Sequence, residues 1–211
     1  MVFTRTLIAS FGFDIDFVLR KLASGRYDRV VLAALKIGDG FERVKKAYST
    51  LSVVCTSLKV DCVLEPITPS VVLRSVQSLL LSEAEKADEL EVYLTGGPRI
   101  LVTTLLLSVL MLPRNLALKT QVLVEGEGFE CTLKIDVNTL LGRLSLDERD
   151  KTILSVIEGE KLKLGEIAKK TEIPKSTIHR RLEELVEKGL AIRTETDTYI
   201  AKPLAEITCT E

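Results

Sequence analysis

Several common routes to chemistry are missing from this 211-residue sequence. The four cysteines, Cys55, Cys62, Cys131 and Cys209, make no C-x-x-C pair, and the only histidine, His179, lies far from all of them. That spacing argues against a zinc site, and buried free thiols in a reducing cytoplasm are the expectation. There is no G-x-G-x-x-G and no phosphate loop ending in Lys-Ser/Thr, so neither a dinucleotide nor a nucleoside triphosphate follows from a motif. No cofactor is expected. The longest apolar run, Ile100 to Leu112, has 13 residues and includes two threonines and a serine. A bilayer span needs about 20, so a buried helix is expected there and no membrane partner. Arg5, Asp14, Asp16 and Arg20 break up the early apolar stretch, which is not the pattern of a secretory leader. Net charge is also lacking, with 29 basic residues against 30 acidic ones. Any nucleic-acid site must therefore be a local patch.

What is present is alternation. From Phe3 to about Glu125, short β-rich apolar runs alternate with longer helical patterns, as in a parallel α/β sheet. Strands are expected near Arg5–Ala9, Arg29–Leu35, Asp61–Glu65 and Glu89–Thr95. Helices are expected near Asp14–Ala23, Gly40–Leu58, Ser70–Lys86 and Pro98–Leu112. Two further strands, Leu116–Val124 and Phe129–Ile135, flank "EGEG" and read as a closing antiparallel hairpin.

Ligands of such sheets gather at the carboxyl ends of the strands. Two of those ends are unusual. "IASFGFDID" places Ser10, Phe11, Gly12 and Asp14 after the first strand, and "TGGPR" places Thr95, Gly96, Gly97, Pro98 and Arg99 after the fourth. A first strand at the centre of the sheet would bring both turns to one crevice. The glycines permit close backbone approach, and Pro98 suits the first position of a helix whose N–H groups could receive an anion. Arg99 puts a cation at the positive end of that helix, at a cost of roughly 0.3–1 kcal/mol unless an anion intervenes. Asp14 serves either as helix cap or as ligand contact. After the second strand, "LKIGDG" adds Lys36, either a solvated charge or a further contact.

The pattern changes after Asp136. Residues 1–136 read as one domain, 137–145 as a linker and 146–211 as a second domain. Ser145 and Glu148 have capping-box spacing, and Ile153, Leu154 and Ile157 form a stripe. A short helix carries Ile167 and Ala168, and Glu172–Pro174 form a turn. A longer helix from Lys175 to Lys188 presents Ile178, Leu182, Leu185 and Val186 on one face, with Gly189 as its stop. Leu190–Arg193 and Thr198–Ala201 then alternate as strands around "TETD". Three helices and a two-stranded wing make a winged helix-turn-helix, whose Lys175 helix would enter the major groove of double-stranded DNA. The expected contacts are Lys175, Ser176, Thr177, His179, Arg180 and Arg181, with Arg193 on the wing. Residues 146–202 hold 12 basic and 12 acidic groups, so protein contact or dimerisation is the alternative use of this domain.

The polar first-strand turn, the "TGGPR" turn and the C-terminal winged helix together resemble the CARF (CRISPR-associated Rossmann fold) transcription regulators of archaeal CRISPR systems. The resemblance covers nearly the whole chain. It implies a Rossmann-like, mainly parallel sheet, a homodimer, and a cyclic oligoadenylate, cyclic tetra-adenylate being the expected ring, held across the two-fold axis by the first- and fourth-strand turns. It further implies a non-enzymatic, ligand-responsive regulator in an archaeal cytoplasm. The alternatives are a slow metal-independent ring nuclease and a metabolite-sensing repressor unrelated to CRISPR.

Overall fold

Near-continuous Val/Ile/Leu/Ala runs such as Arg29–Leu35 have no polar face, so they require cover on both sides. In the computed structural model, which describes residues 3–126, 128 and 130–209, they obtain it. The order is β1 (Arg5–Ser10), α1 (Asp16–Ser24), β2 (Arg29–Leu35), α2 (Gly40–Leu58), β3 (Asp61–Ile67), α3 (Val72–Lys86), β4 (Glu89–Tyr93) and α4 (Arg99–Leu110). A single helical turn, α5 (Arg114–Ala117), then leads to β5 (Thr120–Glu125) and β6 (Cys131–Asp136). The last strand, β10 (Ala205–Cys209), returns to give the order β10-β6-β5-β4-β1-β2-β3. Strands β3, β2, β1, β4 and β5 run parallel, and β6 is antiparallel to β5.

On one face, Leu7, Leu32 and Tyr93 pack with Val18 and Leu22 of α1 and Leu51 of α2, all buried. Ile8, Val31 and Val92 on the strands and Val76, Leu80, Leu101 and Leu105 on α3 and α4 are buried as well. Because β1 lies between β2 and β4, the turns after β1 and β4 are neighbours.

Two buried carboxylates sit away from the strands' carboxyl ends. Glu91 pairs with Arg5 and accepts from the Tyr27 hydroxyl, which burial and that carboxylate push well above the ordinary phenol range. Glu83 takes a hydrogen bond of 2.7 Å from Arg29 Nε. Burial alone would raise the Glu83 carboxyl, but Arg29 and then Lys86 overcome it and hold the group below the usual carboxylate range. A depressed folded-state value stabilises above the unfolded value and is lost as pH falls through the folded one. Glu83→Gln is therefore expected to melt lower than wild type at pH 7. The gap should close as acid protonates Glu83, which melts taken from pH 7 down to pH 2 would measure.

The second unit comprises α6 (Val137–Leu144), α7 (Glu148–Val156), β7 (Leu162–Lys163), α8 (Leu164–Thr171), α9 (Lys175–Glu187), β8 (Ala191–Arg193) and β9 (Thr198–Ala201). Its core is Ile153, Leu154, Ile157, Ile167, Ile178, Leu182, Leu185 and Leu190. The order β7-β9-β8 makes the wing three-stranded.

Several expectations need correction. Residues 137–145, expected as a linker, are mostly the helix α6, where a Cβ on Gly142 would meet Leu190 at 2.8 Å. Asp147, not Ser145, caps α7, accepting from the Asp150 N–H at 2.8 Å. The strand expected from Leu116 starts at Thr120, because Pro113 opens a helical turn before it. Pro98 stands one residue before α4, in extended conformation, and Arg99 is the first helical residue. Cys131 and Cys209 form a disulfide, leaving only Cys55 and Cys62 free. The expected thiols at 131 and 209 fail because β10, which brings Cys209 beside β6, is too short and polar to stand out in the sequence. Two residues of the expected hairpin, Glu127 and Phe129, lie outside the described residues.

Candidate ligand cleft and DNA-facing helix

The glycines at the carboxyl ends of β1 and β4 are there because two turns touch. A Cβ on Gly12 would stand 3.2 Å from the Gly97 Cα, one on Gly96 3.0 Å from the Ser10 carbonyl, and one on Gly97 3.0 Å from three backbone atoms of Phe11. Gly97 also has φ +78°, the left-handed region that disfavours any side chain. The Ser10 hydroxyl donates to the Gly96 carbonyl, and the Thr95 hydroxyl accepts from the Glu125 N–H at 2.7 Å. Ser10 is only 1% exposed, so it stitches the turns together from below rather than facing a ligand.

Above this junction lies a cleft of about 570 Å³. Phe11, Gly12, Asp14, Gly97 and Pro98 of the sequence-predicted set line it; Ser10, Lys36, Thr95, Gly96 and Arg99 do not. The sequence reading missed its opposite wall, Leu35, Ile37 and the Gly38-Asp39-Gly40 start of α2. The signal was available in "LKIGDG", whose glycines flank an acid at a helix start. Lys36 itself lies just past the end of β2, exposed, and does not line the cleft. Phe13, at 72% exposure, stands at the mouth. Asp14 accepts from the Asp16 N–H at 3.0 Å across Ile15, the N-cap of α1, and also lines the cleft.

No side chain caps the start of α4. Its first backbone donors therefore point out of the helix with only the dipole behind them. Arg99 stands there exposed and, among the described residues, makes no ion pair. The arrangement can bind an anion or a polar, partly aromatic ligand. No group of three or more His, Cys, Asp or Glu among the described residues could hold a metal.

On α9, Lys175, Ser176, His179 and Arg180 are exposed and Thr177 is half-buried. Arg180 reaches Glu184 at 2.7 Å, and His179 Nε2 lies 4.0 Å from Glu183. Arg193 on the wing pairs with Asp197 at 2.6 Å and Glu183 at 3.4 Å. Arg181, expected to touch phosphate, is otherwise engaged. Its side chain is 13% exposed and bonds Asp150 at 2.6 Å and Asp147 at 2.9 Å, tying α9 to α7. The hydrogen bonds it donates to those carboxylates, that to Asp150 first, hold its pKa above the ordinary guanidinium range.

These features define a Rossmann-like domain with a cleft at its carboxyl edge, followed by a winged helix-turn-helix. The chain belongs to the Csa3 CRISPR-associated Rossmann-like domain family, which matches residues 5–136. Residues 153–194 match the IclR helix-turn-helix domain. No curated protein matches the sequence. Among solved structures, Can2 from Sulfobacillus thermosulfidooxidans in complex with cyclic tetra-adenylate is similar at 11% identity and a TM-score of 0.46. The match covers 94% of this chain and 61% of that one, so this chain spans about three fifths of that protein's length. Among the described residues, no helix is long and apolar enough to cross a membrane.

Proposed function

We propose that this protein is a transcription regulator that senses a cyclic oligoadenylate in the cleft and binds double-stranded DNA through α9 and the wing. The observation that carries the reading is the contact between the β1 and β4 turns, which sets an uncapped helix start and Arg99, without an ion pair among the described residues, beside a cleft with the exposed Phe13 on its lining. Backbone donors and Arg99 suit phosphate, while the exposed ring of Phe13 suits a base. Membership of a CRISPR-associated family supports a signalling nucleotide as the occupant. A homodimer would present each group twice, and a ring with two-fold symmetry would meet both copies. DNA affinity then responds only insofar as the ligand prefers one pose of the paired winged helices.

Incubation with labelled cyclic oligoadenylates tests this proposal. Binding with the ring intact supports it; binding with cleavage makes the protein a ring nuclease; no binding leaves a metabolite sensor. Arg99→Ala sharpens the test. Loss of a charge-assisted bond is expected to weaken binding by about 1.5–3 kcal/mol per site, roughly 10- to 150-fold. The ligand-free variant should melt no lower than wild type, since the change removes a cation from the positive end of α4. Titration calorimetry and thermal melts read the two effects separately.

A further inference from the structure

The chain passes between its two compact units twice, at Val137–Asn138 and again at Glu206–Ile207. The second passage becomes β10, the outermost strand of the seven-stranded sheet, beside β6. This strand has little to hold it. Its last four residues are exposed, and its one large apolar side chain, Ile207, is 69% exposed. Burial of apolar surface therefore contributes almost nothing, and the hydrogen bonds of an edge strand are open to water. Among the described residues, the remaining attachment is covalent. Cys209, the last residue of β10, is bonded to Cys131, the first residue of β6.

We propose that the Cys131–Cys209 bridge is a redox-operated clasp on the second connection between the units. Oxidised, it keeps β10 on the sheet and both connections in place. Reduced, it frees β10 from the edge of the sheet, and the passage at Val137–Asn138 is unaffected.

The reductant is a small dithiol or a dithiol protein. Its thiolate attacks Sγ of the exposed Cys209, the Cys131–Cys209 S–S bond breaks, and Cys131 leaves as a thiolate that takes up a proton. The reductant's second thiol then attacks the mixed disulfide, releasing Cys209 as a thiol and the reductant as its own disulfide. Two electrons and two protons pass to the protein. The other pair of cysteines takes no part: Cys55 is buried, and burial pushes both the Cys55 and Cys62 thiols upward, away from the reactive thiolate.

Hydrogen exchange on the full-length protein tests the clasp, with peptides spanning β10, β6 and β1 followed in protein purified without reductant, after dithiothreitol, and in Cys209→Ser. Backbone amides of residues 206–209 are expected to exchange at least tenfold faster in the reduced protein and in Cys209→Ser, with β1 unchanged. Cys55→Ser should behave as wild type. Equal protection of residues 206–209 in the oxidised and reduced proteins would overturn the proposal. So would four titratable thiols in the denatured protein prepared without reductant, because the bridge would then not have formed.

Discussion

Gly97→Val is expected to abolish ligand uptake and to lower the melting temperature by roughly 10 °C. The residue has φ +78°, and its Cβ would meet the backbone nitrogen, carbon and oxygen of Phe11 at 3.0 Å. Backbone atoms cannot rotate aside as a side chain can. Left-handed strain contributes about 1–3 kcal/mol and the forced displacement of the β1 turn a similar amount. A loss of that size corresponds to a shift of this order in a chain of this length. Ligand binding suffers more than stability, because the same displacement opens the junction beneath the cleft. Gly40→Ala provides the contrast: Gly40 has no positive φ and nothing lies within 4 Å of where an alanine Cβ would stand, so the variant's melting temperature should stay close to wild type. Thermal melts of both variants, with calorimetry on Gly97→Val, read the result. A Gly97→Val protein that melts and binds as wild type would mean that the two turns do not depend on their contact.

The second large effect separates two adjacent arginines. Arg180→Ala should leave the fold intact, weaken duplex binding and reduce the slope of its salt dependence by about one, the signature of one lost phosphate contact. Its side chain is exposed and, among the described residues, pairs with Glu184 on the same helix alone. Arg181→Ala should instead destabilise the winged helix. It strips the charged partner from Asp150, which is only 6% exposed, at a cost of about 1–3 kcal/mol. Any weakening of DNA binding in this variant should follow from lost folding and retain the wild-type salt slope in the folded fraction. Salt titrations of duplex binding together with melts distinguish the two variants. A stable Arg181→Ala protein with a reduced slope would return Arg181 to the DNA surface.

The parallel sheet was legible in the sequence because β1 to β4 are apolar runs separated by amphipathic helices, and α2 and β2 have the bounds that the pattern suggests. The winged helix was legible because Ile178, Leu182 and Leu185 recur at helical spacing and Gly189, with φ +71°, ends the run. What escaped depends on partners distant in sequence. The pairing of Arg181 with Asp150 joins two helices, and helical periodicity places Arg181 near the exposed face without naming its partner. Strand β7, with two residues, is too short to show a period. The glycines of "TGGPR" signalled close approach correctly, but the structure shows that the nearest approach is between Gly97 and the β1 turn.

Fluorescence anisotropy of a duplex containing the protein's own upstream region, measured with and without saturating cyclic tetra-adenylate at fixed salt, is the most direct test of the sensor reading. Coupling between the cleft and the winged helix should change the dissociation constant at least fivefold, in either direction, as allosteric coupling free energies of about 1–3 kcal/mol require. Ligand that binds, as calorimetry would show, yet leaves the DNA dissociation constant unchanged would contradict it.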